Sequence, residues 1–195
     1  MSGNVGTFDP ASHTYRGTGG RVLRSVTQIL KGARLVEDYG KIDPFYAERG
    51  TAVHAACEYS DKGTLDRSTL DPQIIGYLKA WESFRSEASV EVREVEHRFY
   101  RDDLGFAGTI DRVIVAGTRP GILDIKTGSP APWHPIQTAA YAHGLKLDRE
   151  IVVRYALYLS ADGKWKIRKH DDAADFSIWL SALELSNWRR KHGYD

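Results

Sequence analysis

The chain has 195 residues, 42% hydrophobic and 27% charged, with a formal net charge of +1. That supplies apolar material for one core and gives no sign of disorder, while the balanced charge announces no nucleic-acid partner and leaves only a local basic groove open. The single cysteine, Cys57, excludes disulfides, a zinc cluster and a four-cysteine iron–sulfur cluster within one chain.

No apolar run is long enough to span a membrane and the N-terminus carries no signal-peptide core, so an intracellular, cytoplasmic protein is the expectation. Residues 1–20 are rich in Gly, Ser and Thr, with Phe8, His13 and Tyr15 among them, and read as an arm or small hairpin laid on the surface. His13 is expected to be an ordinary surface histidine. Ser25 to Lys31 reads as a short helix, with Ser25 as N-cap, Gln28 completing a capping box and Gly32 ending it.

Asp43-Pro44 starts a second helix, expected to run to about Tyr59. Its small residues Gly50, Thr51, Ala52, Ala55 and Ala56 allow close packing, and His54 lies on that side, one turn before Glu58. A lone histidine there is more often a satisfied core residue than a ligand. Asp71-Pro72 opens a third helix, with Ile75, Leu78, Trp81 and Phe84 as its buried stripe. Val90–Arg101 alternates apolar and charged residues and reads as a strand; Glu96 within it suits a solvated face but is placed to approach acids on the next strand. Asp102-Asp103-Leu104-Gly105 is a turn.

The run from Gly108 to Gly128 holds two apolar strands, Thr109–Val115 and Ile122–Thr127, separated by a Gly- and Pro-containing turn. Asp111 interrupts the first strand; Asp124 and Lys126 interrupt the second. Pairing Val115 with Ile122 sets Asp111 opposite Lys126, with all three groups on one face, an arrangement that a one-residue slip would undo. Charges so placed must pair with each other or hold an ion, and carboxylates suit a hard divalent cation such as Mg²⁺ or Mn²⁺. A buried Asp–Lys salt bridge and a metal site both satisfy this pattern.

After a breaker-rich loop containing Trp133, Pro135 starts an Ala-rich helix with Gln137 and Tyr141 four apart on one face. They either aim at a site or are a surface Gln beside a half-buried Tyr. Ile151–Leu159 is an apolar strand, and Asp162-Gly163 turns it into Trp165–Lys169. The last helix, about Asp172 to Lys191, buries Phe176, Trp179, Leu180, Leu183 and Trp188, and its terminal Arg189-Arg190-Lys191 reads as a solvated, dipole-favoured end. No repeat or linker divides the chain, so a single domain is expected, with its core at about residues 44–170.

The order Arg49-Gly-Thr-Ala-Val-His54, Gly108-Thr-Ile-Asp111, Asp124-Ile-Lys126-Thr-Gly128, Gln137-Thr-Ala-Ala-Tyr141 resembles the PD-(D/E)XK nuclease superfamily, in particular its RecB-like exonuclease branch. Each element alone is weak; together, and in order, they are specific. The resemblance covers roughly His54 to Leu159. It implies an α/β, restriction-endonuclease-like core with a central mixed β-sheet flanked by helices, and a metal-dependent deoxyribonuclease acting on DNA in recombination, repair or phage DNA processing. In that likeness His54, Asp111, Asp124 and the Ile125 carbonyl bind one or two Mg²⁺ or Mn²⁺ ions. Lys126 orients or deprotonates the attacking water, or stabilises transition-state charge, and Gln137 and Tyr141 contact DNA or brace the site. Trp133, in the loop above these residues, is placed either to stack on a base of a frayed or single-stranded end or to act as a hydrophobic lid. Two departures are Asp124 in place of Glu, which shortens the reach to metal, and Ile110 before Asp111 in place of proline. No phosphate-loop motif is present, so no ATP motor is expected, and unwinding would fall to a helicase or recombination partner. A catalytically idle, DNA-binding or helicase-scaffolding relative is the alternative.

Overall fold

In the computed structural model, which describes residues 6–36 and 44–194, the capping and breaker signals largely set the helix starts. The strands are β1 (Thr7–Asp9), β2 (Thr14–Arg16), β3 (Val22–Ser25), β4 (Val90–Arg101), β5 (Phe106–Ala116), β6 (Arg119–Lys126), β7 (Val153–Leu159) and β8 (Trp165–Lys169). The helices are α1 (Val26–Gly32), α2 (Pro44–Lys62), α3 (Pro72–Glu87), α4 (His134–Gly144) and α5 (Ala174–His192). Ser25 caps α1 with both hydrogen bonds of the capping box, and the Asp71 side chain caps α3 by accepting from Gln73 N–H. The N-cap expected at Asp43 lies outside the described residues. Helix α2 runs one turn past the expected end at Tyr59.

One mixed eight-stranded sheet forms the middle layer. Strand β4 pairs antiparallel along the whole of β5, from Val90↔Ala116 to Arg101↔Phe106. The other edge of β5 is shared: its first two residues pair parallel with β3, and Arg112 to Ala116 pair antiparallel with β6. Between them, Gly108 to Asp111 have no strand partner on that edge among the described residues, so β5 and β6 part where the acids begin. Strand β6 runs parallel to β7, with α4 in the crossover, and β7 turns back into β8.

The alternation of β6 divides the core. Ile122 packs with Ile110, Ala140, Trp179 and Leu183 against α4 and α5; Leu123 and Ile125 pack with Val53, Leu78, Trp81 and Phe84 against α2 and α3. Burying a side chain such as Leu78 or Phe84 contributes about 1.5–3 kcal/mol. No helix among the described residues is long and apolar enough to cross a membrane.

Four expectations are corrected. The β5–β6 register pairs Val115 with Pro120, not Ile122, because the turn is a two-residue loop, Gly117-Thr118, with Gly117 at φ 63. Continued by one pair, this register sets Asp111 opposite Asp124 instead of Lys126; the error is two residues, so the shared face survives. The N-terminal hairpin is not laid on the surface but extends the sheet edge, with Tyr15 buried and its hydroxyl 2.8 Å from Thr109 Oγ1. On α3, Ile75 is exposed and the buried stripe is Ile74, Tyr77, Leu78, Trp81 and Phe84, because the helix turns its first apolar residue inward. Trp188 is exposed and stacks on Tyr194.

Candidate active site

The acids lie where β6 leaves β5, and α2 closes over that opening. A Cβ added to Gly50 would lie 3.5 Å from Thr127 Oγ1, which measures how closely α2 approaches the end of β6. One turn on, His54 Nδ1 stands 3.4 Å from Asp111 Oδ1, and the other oxygen, Oδ2, accepts a 2.6 Å hydrogen bond from Ile125 N–H. Asp111 thus ties α2, β5 and β6 at one point. For Ile125 it is the N–H that has a defined role.

A second line of contacts starts at Asp124. Its Oδ2 lies 2.7 Å from Lys126 Nζ, and Lys126 donates to Gln137 Oε1 at 2.8 Å. Gln137 Nε2 donates to Tyr141 OH at 2.9 Å, which fixes the orientation of the amide. Gln137 and Tyr141 are both buried, so they are not a surface Gln beside a half-buried Tyr. Gly108 makes the room: a Cβ there would lie 2.9 Å from the Phe99 ring and 3.3 Å from Tyr141. Trp133, at the start of α4, holds its ring 5.1 Å from Lys126 Nζ.

Glu96 departs most from its sequence reading. It is half-buried, and His54, Glu96 and Asp111 each offer a ligand atom, all within 4.8 Å of one another. Its backbone stands at φ 50, a left-handed conformation costing on the order of 1–3 kcal/mol in a non-glycine residue, and such strain clusters at functional sites. Behind it, the fully buried Arg112 donates to Asp61 Oδ2 at 2.7 Å and to the Asp111 carbonyl at 2.6 Å, and approaches Glu96 Oε1 at 3.4 Å, its guanidinium over the Trp81 ring. Arg112, Asp61 and the strained Glu96 backbone were missed. The signal for the strand irregularity was present: apolar residues at 90, 92, 95 and 99 change parity, and β4 bulges between Val92 and Glu94. Glu58 is engaged with Lys62 on the same helix.

Crowding the acids shifts their protonation. Burial, reinforced by the Asp111 charge, pushes Glu96 up to about 7 in spite of His54 and Arg112. Burial likewise raises Asp124 to about 6, with Asp111 adding to it and Lys126 only partly offsetting it. Burial opposes ionisation of Asp111 too, but His54, Lys126 and the Ile125 N–H outweigh it and hold its carboxyl below the usual range. His54 is raised, since Asp111 more than offsets the burial that disfavours its charge.

The donor set fits a hard divalent cation. Two carboxylates and an imidazole converge, and beside them lies buried Asp124, whose Oδ2 is met among the described residues only by the Lys126 ion pair. His54, Glu96 and Asp111 would form the first part of such a site; the Asp124 carboxylate is turned toward Lys126.

The model of the PD-(D/E)XK nuclease superfamily matches residues 28–190. A protein from Eubacterium rectale, described as a candidate exonuclease, superimposes with TM-score 0.54 at 12% identity, covering 88% of this chain and 82% of that one. An alkaline exonuclease from Laribacter hongkongensis has TM-score 0.40 at 16% identity, covering 87% and 81%. No curated protein matches the sequence.

Proposed function

Because the chain belongs to the PD-(D/E)XK nuclease superfamily, we propose that it is a divalent-metal-dependent deoxyribonuclease, and specifically an exonuclease. The observation that carries this reading is the convergence of His54, Glu96 and Asp111 beside the Asp124–Lys126–Gln137–Tyr141 line. The exonuclease assignment draws on the RecB-like pattern of motifs and on the description of the Eubacterium rectale protein. Processing of DNA ends in recombination, repair or phage replication fits that activity, with a helicase or recombination protein as companion.

His54, Glu96, Asp111, Asp124 and the Ile125 carbonyl would hold Mg²⁺ or Mn²⁺. Bound there, the ion supplies charge neutralisation at a phosphate oxygen and lowers the pKa of a coordinated water. The remaining steps belong to the chain. Lys126, fixed by Asp124 on one side and Gln137 on the other, presents its ammonium to the attacking water or to a non-bridging oxygen as negative charge builds. Water oxygen bonds to phosphorus, the bond to the 3′-oxygen breaks, and the proton lost by the water is balanced by one taken up by the leaving oxygen. Tyr141, whose phenol burial holds well above its ordinary pKa, stays neutral and locks Gln137 through its hydroxyl. His54, 3.4 Å from Asp111 Oδ1, and the Ile125 N–H on Oδ2 hold the Asp111 carboxylate in place.

The test is digestion of linear and closed-circular DNA in Mg²⁺, Mn²⁺ or EDTA, by the native protein and by Lys126→Ala and Asp111→Ala. Metal-dependent loss of linear DNA, absent from both variants, is expected. Digestion that persists in EDTA or survives Lys126→Ala would remove the activity from this site, and cleavage of closed circles would exclude a strict exonuclease.

A further inference from the structure

Beside the acids, a groove of about 1200 Å³ runs between the start of α2, the loop after β6 and the β7–β8 turn. Its walls carry aromatic rings and cations together: Tyr46, Trp133 and Trp165 with Arg49, Lys164 and Lys166. The groove and the site share a wall, because Trp133, which lines the groove, faces Lys126 Nζ across 5.1 Å.

Arg49 is the distinctive member. Its guanidinium lies 5.1 Å from the Tyr46 ring centre and 5.2 Å from that of Tyr77, and among the described residues no carboxylate pairs with it. Its buried Nε has no hydrogen-bond partner among the described residues. This cation is positioned by ring faces, with its charge left for an anion. Lys166 adds charge at the exposed edge strand β8, and Lys164, which pairs with Asp162, stands at the turn.

We propose that this groove holds single-stranded DNA and leads it to the acids. Phosphates need cations and bases need ring faces, and the groove offers both along one path. In a duplex both faces of each base are already stacked, so rings such as Tyr46, which is 54% exposed, have nothing to cover; an unpaired strand offers a free face at every base. Arg49 and Lys166 hold phosphates, Tyr46 and Trp133 stack on bases, and Trp133 sets the last base beside Lys126. The substrate class is therefore an unpaired strand or the frayed end of a duplex. The proposal rests on the nuclease reading and names its substrate.

The experiment measures binding of a short fluorescein-labelled oligo(dT), and of a blunt duplex of equal length, in EDTA. The native protein and Tyr46→Ala, Trp133→Ala and Lys166→Glu are compared, with circular dichroism as the folding control. Oligo(dT) should bind more tightly than duplex. Tyr46→Ala and Trp133→Ala should each weaken it by about tenfold, the expected order for one lost stack. Lys166→Glu should weaken it and flatten its salt dependence. Since Tyr46 and Lys166 are exposed, these two variants keep the test decisive if Trp133→Ala does not fold. Tighter duplex binding, or unchanged oligo(dT) affinity in the folded variants, would overturn the groove assignment even where digestion is normal. Absence of digestion in Mg²⁺ would instead count against the nuclease reading, because binding in EDTA does not depend on catalysis.

Discussion

Two buried charged clusters lie along the β6–β7 pair, one around Arg154 and one around Asp124, and they solve the burial problem in opposite ways. In the first, Arg154 donates to the Pro135 carbonyl at 2.9 Å, to the Asp172 carbonyl at 3.2 Å and to Asp175 Oδ2 at 2.9 Å. His170 N–H donates to the Arg154 carbonyl, and its ring meets Thr138 Oγ1 at 2.9 Å. One cation faces one carboxylate, and two carbonyls accept further hydrogen bonds from it. In the second, Asp111 raises the cost of charge on both Glu96 and Asp124, and Asp124 Oδ2 is met among the described residues only by the Lys126 ion pair. The first cluster is complete as a piece of structure. The second keeps Glu96 and Asp124 raised by burial in spite of Arg112 and Lys126, a strain that a bound cation would relieve on the proposed reading.

The largest expected effect separates them by function. Asp111→Asn keeps an acceptor for the Ile125 N–H but loses the charge, and digestion should fall by about 10³-fold or more, on the scale of removing a charge-stabilising group from an active centre. Asp175→Asn should leave the acids untouched and weaken the fold. Breaking a buried ion pair costs about 3–5 kcal/mol, so the melting temperature should drop by roughly 6–20 °C.

The next contrast lies in pH. Burial and Arg154 lower His170 to about 4, and burial and Lys126 lower His134 to about 3. Both are therefore neutral when folded yet take up a proton near 6.5 when unfolded. Their stabilisation is fully present above about 6.5 and is lost as pH falls toward 4, because the unfolded state binds more protons in that window. Thermal melts from pH 7 to 4 should decline, and His170→Gln should flatten part of the slope. The smallest effect carries the opposite sign. In metal-free protein at pH 8, Asp124→Asn should leave the melting temperature unchanged or raise it by a few degrees, since it removes a carboxylate whose burial outweighs its pairing with Lys126. A large loss of stability there would make the second cluster structural too.

Much of this was legible in the sequence where a residue's role is local. Ser25 with Gln28, Asp71 with Pro72, and Asp162 with Gly163 announce their caps and turn through short-range chemistry. The face shared by Asp111 and Asp124 survived a wrong register because strand alternation has period two. What stayed hidden depends on contacts distant in the chain. Arg154 reads as an intrusion in the apolar run Ile151–Leu159, and its partner Asp175 lies 21 residues away. Arg112 looks like an outward charge on a strand, yet Asp61, 51 residues earlier, receives it in the core. Glu96 follows the polar alternation of β4 until a bulge and a left-handed backbone turn it toward His54, and neither is encoded by residue type alone.

The claim that the acid cluster is built around a divalent cation can be tested without catalysis. Metal-free protein is melted at pH 7.5 with increasing Mn²⁺, alongside Asp111→Asn. A ligand at 100 times its dissociation constant adds about 2.7 kcal/mol, so the native melting temperature should rise by roughly 5–11 °C at saturating metal. The variant should show little or none of that rise. No shift in the native protein, or an equal shift in Asp111→Asn, would contradict the account.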